Sequence, residues 1–538
     1  MKNKCLLIIF MTVFYLSFYA QDKSDWIGGF PDACTSITVG KNASADGSVI
    51  TSHTDDSHRT QSSVNIIPAK DYPAGSVCNM YKRVSCDSFV MPSYANIKVG
   101  EIPQVAHTHG FINSAYPCMN EFQLGIGEST FGGREELQSD SGLIDCQRLI
   151  QLMLERATTA RQAIKIADEL TKLYGWNDYG ECLTIADKNE VWHFEIVGPG
   201  KDKVGAVWAA QRVPDDHISV NANASTIKKI NLKDKDDFMA SSNIFEVAQQ
   251  NEWWNPNKES FVFNAIYAPE SRTSFASRRR EWRVFDLLAP SLNLDPNDQD
   301  YPFSIKPDSL VTLQKLVDIF KDYYEGTPYD MTRNITTTNK DGKTVVSPLA
   351  NPFMPYDQLG MHDVKGDWFI VDKKTNNIDF LGERTIARWY TMYATIIQCR
   401  NWLPDEIGGL VWLALDNVAT SVYIPVYCSV SDLPVTYKTD GRITGFSQKS
   451  AWWAFNRLGT LSAQRWGEMR YDVDAVWIPM QMKIFDEQSR LEADAIDIKT
   501  KSERVKYLTK YTMKWGNTIV EEAWKLGDFL WTKYDEKF

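Results

Sequence analysis

Between residues 182 and 222 the chain repeats one unit four times, a short apolar or alternating run followed by a tight turn. The runs are 182–186, 191–197, 204–212 and 218–222, divided by Asp187-Lys188-Asn189, Gly198-Pro199-Gly200 and Pro214-Asp215-Asp216. Runs this short, bounded by turn formers, are strands and not helices. So few residues between them force antiparallel pairing, because a parallel crossover needs a dozen or more. An antiparallel meander ending at Asn221-Ala222-Asn223 is the economical reading.

A sheet must be covered on its apolar face. Just upstream, 143–157 and 160–174 read as helices, the second opening on a Thr159-Ala160-Arg161-Gln162 capping box and closing at Gly175. Ala163, Ile166, Ala167, Leu170 and Leu173 fall at helical spacing and predict one buried face. Further on, helices are predicted around 243–250 and 309–324, a surface loop over 327–346, and strands at 412–415 and 421–425. After Ser450 the chain turns helical and rich in Trp, through 451–461 and two long segments ending near Phe538. Strands flanked by helical pairs imply a layered α+β fold. No low-complexity linker or fixed-period repeat interrupts it, so 34–538 reads as a single elaborated domain. A net charge of −11 argues against nucleic acid as a partner, since phosphate neutralisation needs a basic surface.

Residues 1–20 carry Lys2 and Lys4, then an apolar run to Ala20, and Gln21 opens a polar stretch, the pattern of an export signal. That run is too short for a membrane span, and no other segment offers about 18 unbroken apolar residues. The mature chain is therefore expected to be exported, to a periplasm or the exterior, with no membrane association once the signal is removed. Cys5 lies in the leader, and the eight other cysteines show no CxxC spacing. Cys78 and Cys86 flank a loop-like stretch and could pair in an oxidising compartment. Residues 21–33, QDKSDWIGGFPDA, are polar and turn-rich, and read as an exposed propeptide that cleavage can remove.

Cys34 follows directly. Thr35 to Val39 alternate, a polar loop ends in Asp46-Gly47, and a second run spans 48–52, which together predict a hairpin. Its pairing puts residues near 56–59 opposite Cys34 and brings His53, Asp56, His58 and Arg59 toward the thiol. A buried, inert thiol is the ordinary fate of a cysteine, but cutting the bond before Cys34 would give one residue both a thiol and an α-amine. Such an amine titrates near about 7.7, so it can take the proton from its own thiol without a separate histidine. The resulting thiolate attacks an amide or ester carbonyl. While the bond is intact the nitrogen is an amide with no basic lone pair, so the precursor should be inactive. Other chemistries find less support. His107-Thr108-His109 lacks an HExxH partner, Gly198-Pro199-Gly200 is a turn, and there is no GxSxG elbow. The stretch 119–130 feeds a strand that ends in small polar residues, where sites are often built.

The string Ala33-Cys34-Thr35-Ser36-Ile37-Thr38-Val39-Gly40, with Ala45-Asp46-Gly47-Ser48 and His53-Thr54-Asp55-Asp56-Ser57, resembles the start of the dipeptidase A family of N-terminal nucleophile (Ntn) cysteine hydrolases. That family is related to the penicillin V acylases and bile salt hydrolases. The resemblance continues through 119–121, 192–196, 210–216, 400–405 and 450–455, in family order. It implies a four-layer αββα sandwich with a helical C-terminal region, and a nucleophile uncovered by removal of the peptide before Cys34. Asp56 matches the aspartate that holds the α-amine, and Asn223 the asparagine that binds the oxyanion, with Asn221 as its rival. The acylases carry arginine three residues before the aspartate, where this chain has His53, whose charge is partial at neutral pH; Arg59 is an alternative source. Their second oxyanion asparagine falls near Ser129 or Thr130. Their late arginine falls within Arg278-Arg279-Arg280, and Arg279 is favoured over a reading of these as solvated basic surface.

The resemblance implies an exported cysteine dipeptidase acting on small peptides, with no cofactor and no metal, and sets no oligomeric state. The enzymatic alternative is an amidase or acylase acting on N-acylated amino acids. The two differ in whether the pocket meets a free substrate amine, for which Glu128, Asp55 or Glu121 are possible carboxylate partners, or an apolar acyl chain. A third reading is a non-catalytic binding protein whose 18 Trp and 23 Tyr line a groove, although Trp452 and Trp453 suit a helical core better.

Overall fold

The computed structural model describes residues 33–86, 90–333, 335–352, 370–371, 378–379 and 383–537. The expected leader, and all of the removable segment except Ala33, lie outside the described residues.

Two large antiparallel sheets organise the chain. The first runs, strand by strand, Ser304–Ile305, Ile218–Asn221, Ala33–Val39, Val49–Asp56, Thr391–Cys399, Leu410–Leu415 and Ile424–Tyr427. The predicted hairpin thus sits at its middle, with Cys34 opposite Asp55 and Ala33 opposite Asp56. The second sheet holds Phe238–Ala240, Val207–Val213, Val191–Val197, Gly180–Ala186, Gly125–Gly132, Met119–Asn120, Phe111–Asn113 and Asn65–Ile67 in that order.

The predicted meander holds for three strands, and the fourth departs. Ile218–Asn221 crosses to the first sheet and pairs with Ala33–Val39, placing Asn221 opposite Ser36. The turn before it is captured by the hairpin loop, whose Asn42 and Ala43 backbone N–H groups both donate to the Asp215 carbonyl, at 2.7 and 3.1 Å. Gly40 permits this approach, since a Cβ there would lie 2.4 Å from the Asp215 oxygen. The crossing carries Asn223 toward Cys34.

Small polar residues join the two sheets. Ser36 Oγ donates to the Glu128 carbonyl at 2.8 Å, Thr51 and Thr184 hydroxyls meet at 2.7 Å, and Thr38 meets His193 Nε2 at 3.1 Å. Gly127 lets the backbones close up, because a Cβ there would sit 2.3 Å from the Ser52 carbonyl oxygen. Helices Cys146–Arg156 and Ala160–Tyr174 contact the second sheet, and the C-terminal helices Ala451–Gln464 and Lys501–Lys533 contact Leu410–Leu415 and Ile424–Tyr427 of the first. Trp452, Trp477 and Trp515 of this region are buried, with Trp453 packed against the core, so these indoles serve packing and not a binding groove.

Three expectations are corrected. The face of Ala160–Tyr174 turned inward uses Ile164, while Leu173 is 67% exposed. Cys78 and Cys86 lie on one ten-residue strand, Val77–Cys86, and are not bonded to each other. Eight residues of extended chain separate them by roughly 26 Å, far beyond disulfide reach. The stretch 327–346 contains a small exposed hairpin, Thr336–Thr338 with Thr344–Val346. The central strand Thr391–Cys399 and the helix Phe275–Leu288 had no counterpart in the sequence reading. That helix buries Arg278, Arg279, Arg280, Glu281 and Arg283, so it lacks the polar face that marks an amphipathic helix. No helix among the described residues is long and apolar enough to cross a membrane.

Candidate active site

Cys34 is the second residue of a central strand and is 3% exposed. Strand alternation points its side chain, like that of Ser36, at the second sheet. There the Cys34 thiol donates to Glu128 Oε1 at 3.2 Å. His53, on the hairpin partner, places Nε2 3.5 Å from the same oxygen, while its Nδ1 meets the Tyr393 hydroxyl at 3.3 Å. Tyr116 and Tyr393 set their rings edge-on to the imidazole, each at 5.5 Å. All of these side chains are buried.

The backbone of Cys34 is held from the other side. Its N–H donates to Asn223 Oδ1 at 3.0 Å, and its carbonyl accepts from Arg280 Nη1 at 2.6 Å. Arg280 also donates to Thr35 Oγ1 at 3.0 Å, the Ala222 carbonyl at 3.0 Å and Asn223 Oδ1 at 2.8 Å. Asn223 stands at φ +60°, a left-handed conformation that asparagine tolerates. Its backbone N–H donates to Ser129 Oγ at 2.9 Å and its Nδ2 to the Thr130 carbonyl at 2.6 Å. The amide orientation follows from this network, since Arg280 demands an acceptor and Thr130 a donor.

Against this geometry, the sequence profile of peptidase family C69 matches residues 33–478. The chain belongs to peptidase family C69. Over 483 residues it is 24% identical to a protein of Latilactobacillus sakei named probable dipeptidase, covering 86% of this chain and 89% of the relative. It is 23% identical over 450 residues to dipeptidase A of Lactobacillus helveticus, covering 82% and 83%. A probable dipeptidase B of Lactococcus lactis subsp. lactis is 24% identical over 419 residues, covering 76% of each chain.

In this C69 peptidase the expected site residues divide into groups. Cys34, His53, Glu128 and Asn223 converge. Ser129 and Thr130 support Asn223, with the Thr130 hydroxyl turned to Glu181 Oε1 at 2.8 Å. Asn221 closes its own turn by donating to the Ala224 carbonyl at 2.8 Å. Arg59 belongs to the region of His58, whose pKa it helps lower to about 4 after burial and the charges of Arg442 and Arg388.

Asp56 lies opposite Ala33, beside the bond whose cleavage would free the Cys34 amine; its side chain is on the face away from the thiol, where Arg384 pairs with it and Thr391 Oγ1 donates at 2.5 Å. Asp55 is the aspartate opposite Cys34, and its Oδ2 accepts from Thr60 Oγ1 at 2.7 Å. Arg279 lies over the Tyr329 ring at 3.4 Å, donates to the Pro296 carbonyl at 2.8 Å and reaches Glu383 at 3.3 Å. Consecutive helical residues point about 100° apart, so only one of the three arginines can face Cys34. That one is Arg280. Nothing in the local sequence separates it from Arg279.

Burial, then the carboxylates of Glu128, Asp55 and Asp56, raises the Cys34 thiol well above its ordinary value. With its nitrogen in an amide, the residue is held as a neutral thiol. Burial, aided by the nearby Arg384 charge, pulls Arg280 down to about 9, with Asp56 acting in the opposite sense. Among the described residues, two groups of side chains offer metal-ligand atoms within 4.8 Å of one another, Cys34 with His53 and Glu128, and Glu128 with Cys146 and Glu181. An ion on the first would occupy the thiol.

Proposed function

We propose that this C69 peptidase is an exported dipeptidase, periplasmic or extracellular, that works through the Cys34 thiol once the segment before it is removed. The observation that carries the reading is the threefold hold on Cys34: nitrogen on Asn223, carbonyl on Arg280, thiol on Glu128. Such a residue is positioned at every atom that an N-terminal nucleophile uses. The family match beginning at residue 33 and the dipeptidase names of the relatives agree with it. Two facing sheets with helices against each support the αββα sandwich.

Freed from the preceding residue, the Cys34 nitrogen becomes an amine that takes the thiol proton. The ammonium so formed sits beside the thiolate and opposes the carboxylates that otherwise raise it. The thiolate attacks the carbonyl carbon of the first residue of a dipeptide. The C–N bond breaks, the ammonium protonates the leaving amine, and a thioester remains. Water, deprotonated by the same amine, cleaves the thioester and restores the thiol. Asn223 carries two amide hydrogens, one given to Thr130, which leaves the second for the oxyanion. Asp56 acts at one remove, by balancing Arg384 and Arg280.

Intact mass measurement of the purified exported protein tests the reading, with assay on free and N-acylated dipeptides. The expected result is an N-terminus at Cys34 and hydrolysis of free dipeptides. Hydrolysis by a chain that still carries residues before Cys34 would overturn it, and preference for the N-acylated compound would favour an amidase.

A further inference from the structure

We infer that Glu128 is the receptor for the free α-ammonium group of the substrate, and so the residue that confines this enzyme to unblocked amino termini. The inference rests on the dipeptidase reading and adds the group that enforces it.

In a dipeptide the amine is two bonds from the carbonyl carbon under attack, about 2.5 Å away by standard backbone dimensions. A thiolate poised for attack stands about 3–3.5 Å from that carbon. The ammonium must therefore lie within roughly 6 Å of Sγ. Glu128 Oε1 is 3.2 Å from Sγ, and Glu128 Oε2, fully buried, has no hydrogen-bond partner among the described residues. A buried carboxylate with an idle oxygen is costly unless a donor completes it. When Cys34 loses its proton, Oε1 loses its donor too, and thiolate and carboxylate are left side by side. An ammonium group between them answers both charges.

The other carboxylates expected near the thiol, Asp56, Asp55 and Glu121, are already engaged. Asp56 is paired with Arg384 and Thr391 on the far face. Asp55 accepts from Thr60. Glu121 accepts from the Gly110 N–H at 3.0 Å and faces Lys501 at 3.6 Å. His53 offers Glu128 an imidazole nitrogen at 3.5 Å on one side only.

The test compares kcat/KM for Ala-Ala and for propionyl-alanine, the same molecule with hydrogen in place of the amine, in the mature wild type and in Glu128→Gln. Both substrates share the thiol, so any effect of Glu128 on the nucleophile cancels in the ratio. The wild type is expected to prefer Ala-Ala by about 100-fold or more, as sites built around a polar substrate group do. In Glu128→Gln that ratio should fall at least tenfold. An unchanged ratio, whether both activities drop together or neither drops, overturns the assignment and leaves the dipeptidase reading standing. A wild type that hydrolyses no free dipeptide overturns the dipeptidase reading and this inference with it. If Glu128→Gln is not recovered folded, Glu128→Asp keeps the charge and withdraws it by one methylene. Its ratio should fall at least threefold, and an unchanged ratio is again decisive against the role.

Discussion

The guanidinium of Arg280 donates to the carbonyl of Cys34 at 2.6 Å and to Asn223 Oδ1 at 2.8 Å, and the same Asn223 oxygen accepts from the Cys34 N–H at 3.0 Å. One planar fork thereby ties the strand of Cys34 to the turn that holds its nitrogen. It comes from a helix 246 residues further along the chain.

Arg280→Met should lower kcat/KM on dipeptides about 100-fold, since hydrogen bonds to a charged group are each worth about 1.5–3 kcal/mol and several are lost together. Arg280→Lys should recover only part, because a point charge cannot span both partners. Arg279→Met, whose contacts are Tyr329, Pro296 and Glu383, should stay within about threefold. Steady-state kinetics with thermal melts decide it, and equal losses from both arginines would refute the distinction.

Removing the charge of Asp56 leaves Arg384 buried without its counter-ion. Asp56→Asn should destabilise the fold by about 3 kcal/mol, the usual cost of breaking a buried pair on one side. Denaturant titration measures this. Adding Arg384→Met should restore part of the loss, and strictly additive destabilisation would count against the pair.

Cys34→Ala should abolish hydrolysis and leave the preceding segment attached, with folding stability lowered by about 1–3 kcal/mol because Glu128 Oε1 loses its buried donor. Activity assay, intact mass and melting temperature report the three effects separately. Full activity in this variant would end the thiol mechanism.

A pH effect on stability should come from Asp416, which burial pushes up to about 7 despite a hydrogen bond from Asn456 at 2.8 Å. A carboxyl raised in the folded state favours folding below its unfolded pKa, and that contribution is lost as pH rises from about 4 through 7. At pH 8 the buried carboxylate therefore costs up to about 4 kcal/mol, at 1.36 kcal/mol per unit. Asp416→Asn keeps the acceptor for Asn456 and suits the local φ of +60°. The variant should melt higher than wild type at pH 8 and show a flatter stability profile between pH 4 and 7. A wild-type profile without that slope would contradict the buried acid.

Much of the scaffold was legible because it is local. Alternation on either side of Asp46-Gly47 marks a hairpin, and turn residues at short intervals mark antiparallel strands. The hairpin register was less so. The long turn from Gly40 to Ser48 shifts the pairing, so Asp55, and not a residue between 56 and 59, stands opposite Cys34. The helix Phe275–Leu288 was hidden because its charged residues are buried by pairing, as in Arg278 with Glu281 at 2.7 Å and Arg283 with Asp322 at 2.7 Å. Without a polar stripe its phase cannot be read, and Arg279 and Arg280 are equivalent.

The sequence by itself determined a single thiol at the start of a hairpin, an antiparallel framework with helical cover, and the family. The tertiary structure alone decided which groups meet that thiol: Glu128 across the sheet interface, Asn223 by a strand that changes sheets, and Arg280 by the rotation of one helix. The physical reason is range. Periodicity and turn chemistry constrain a residue relative to its own element, whereas these contacts span 94, 189 and 246 residues and depend on how separate elements stack.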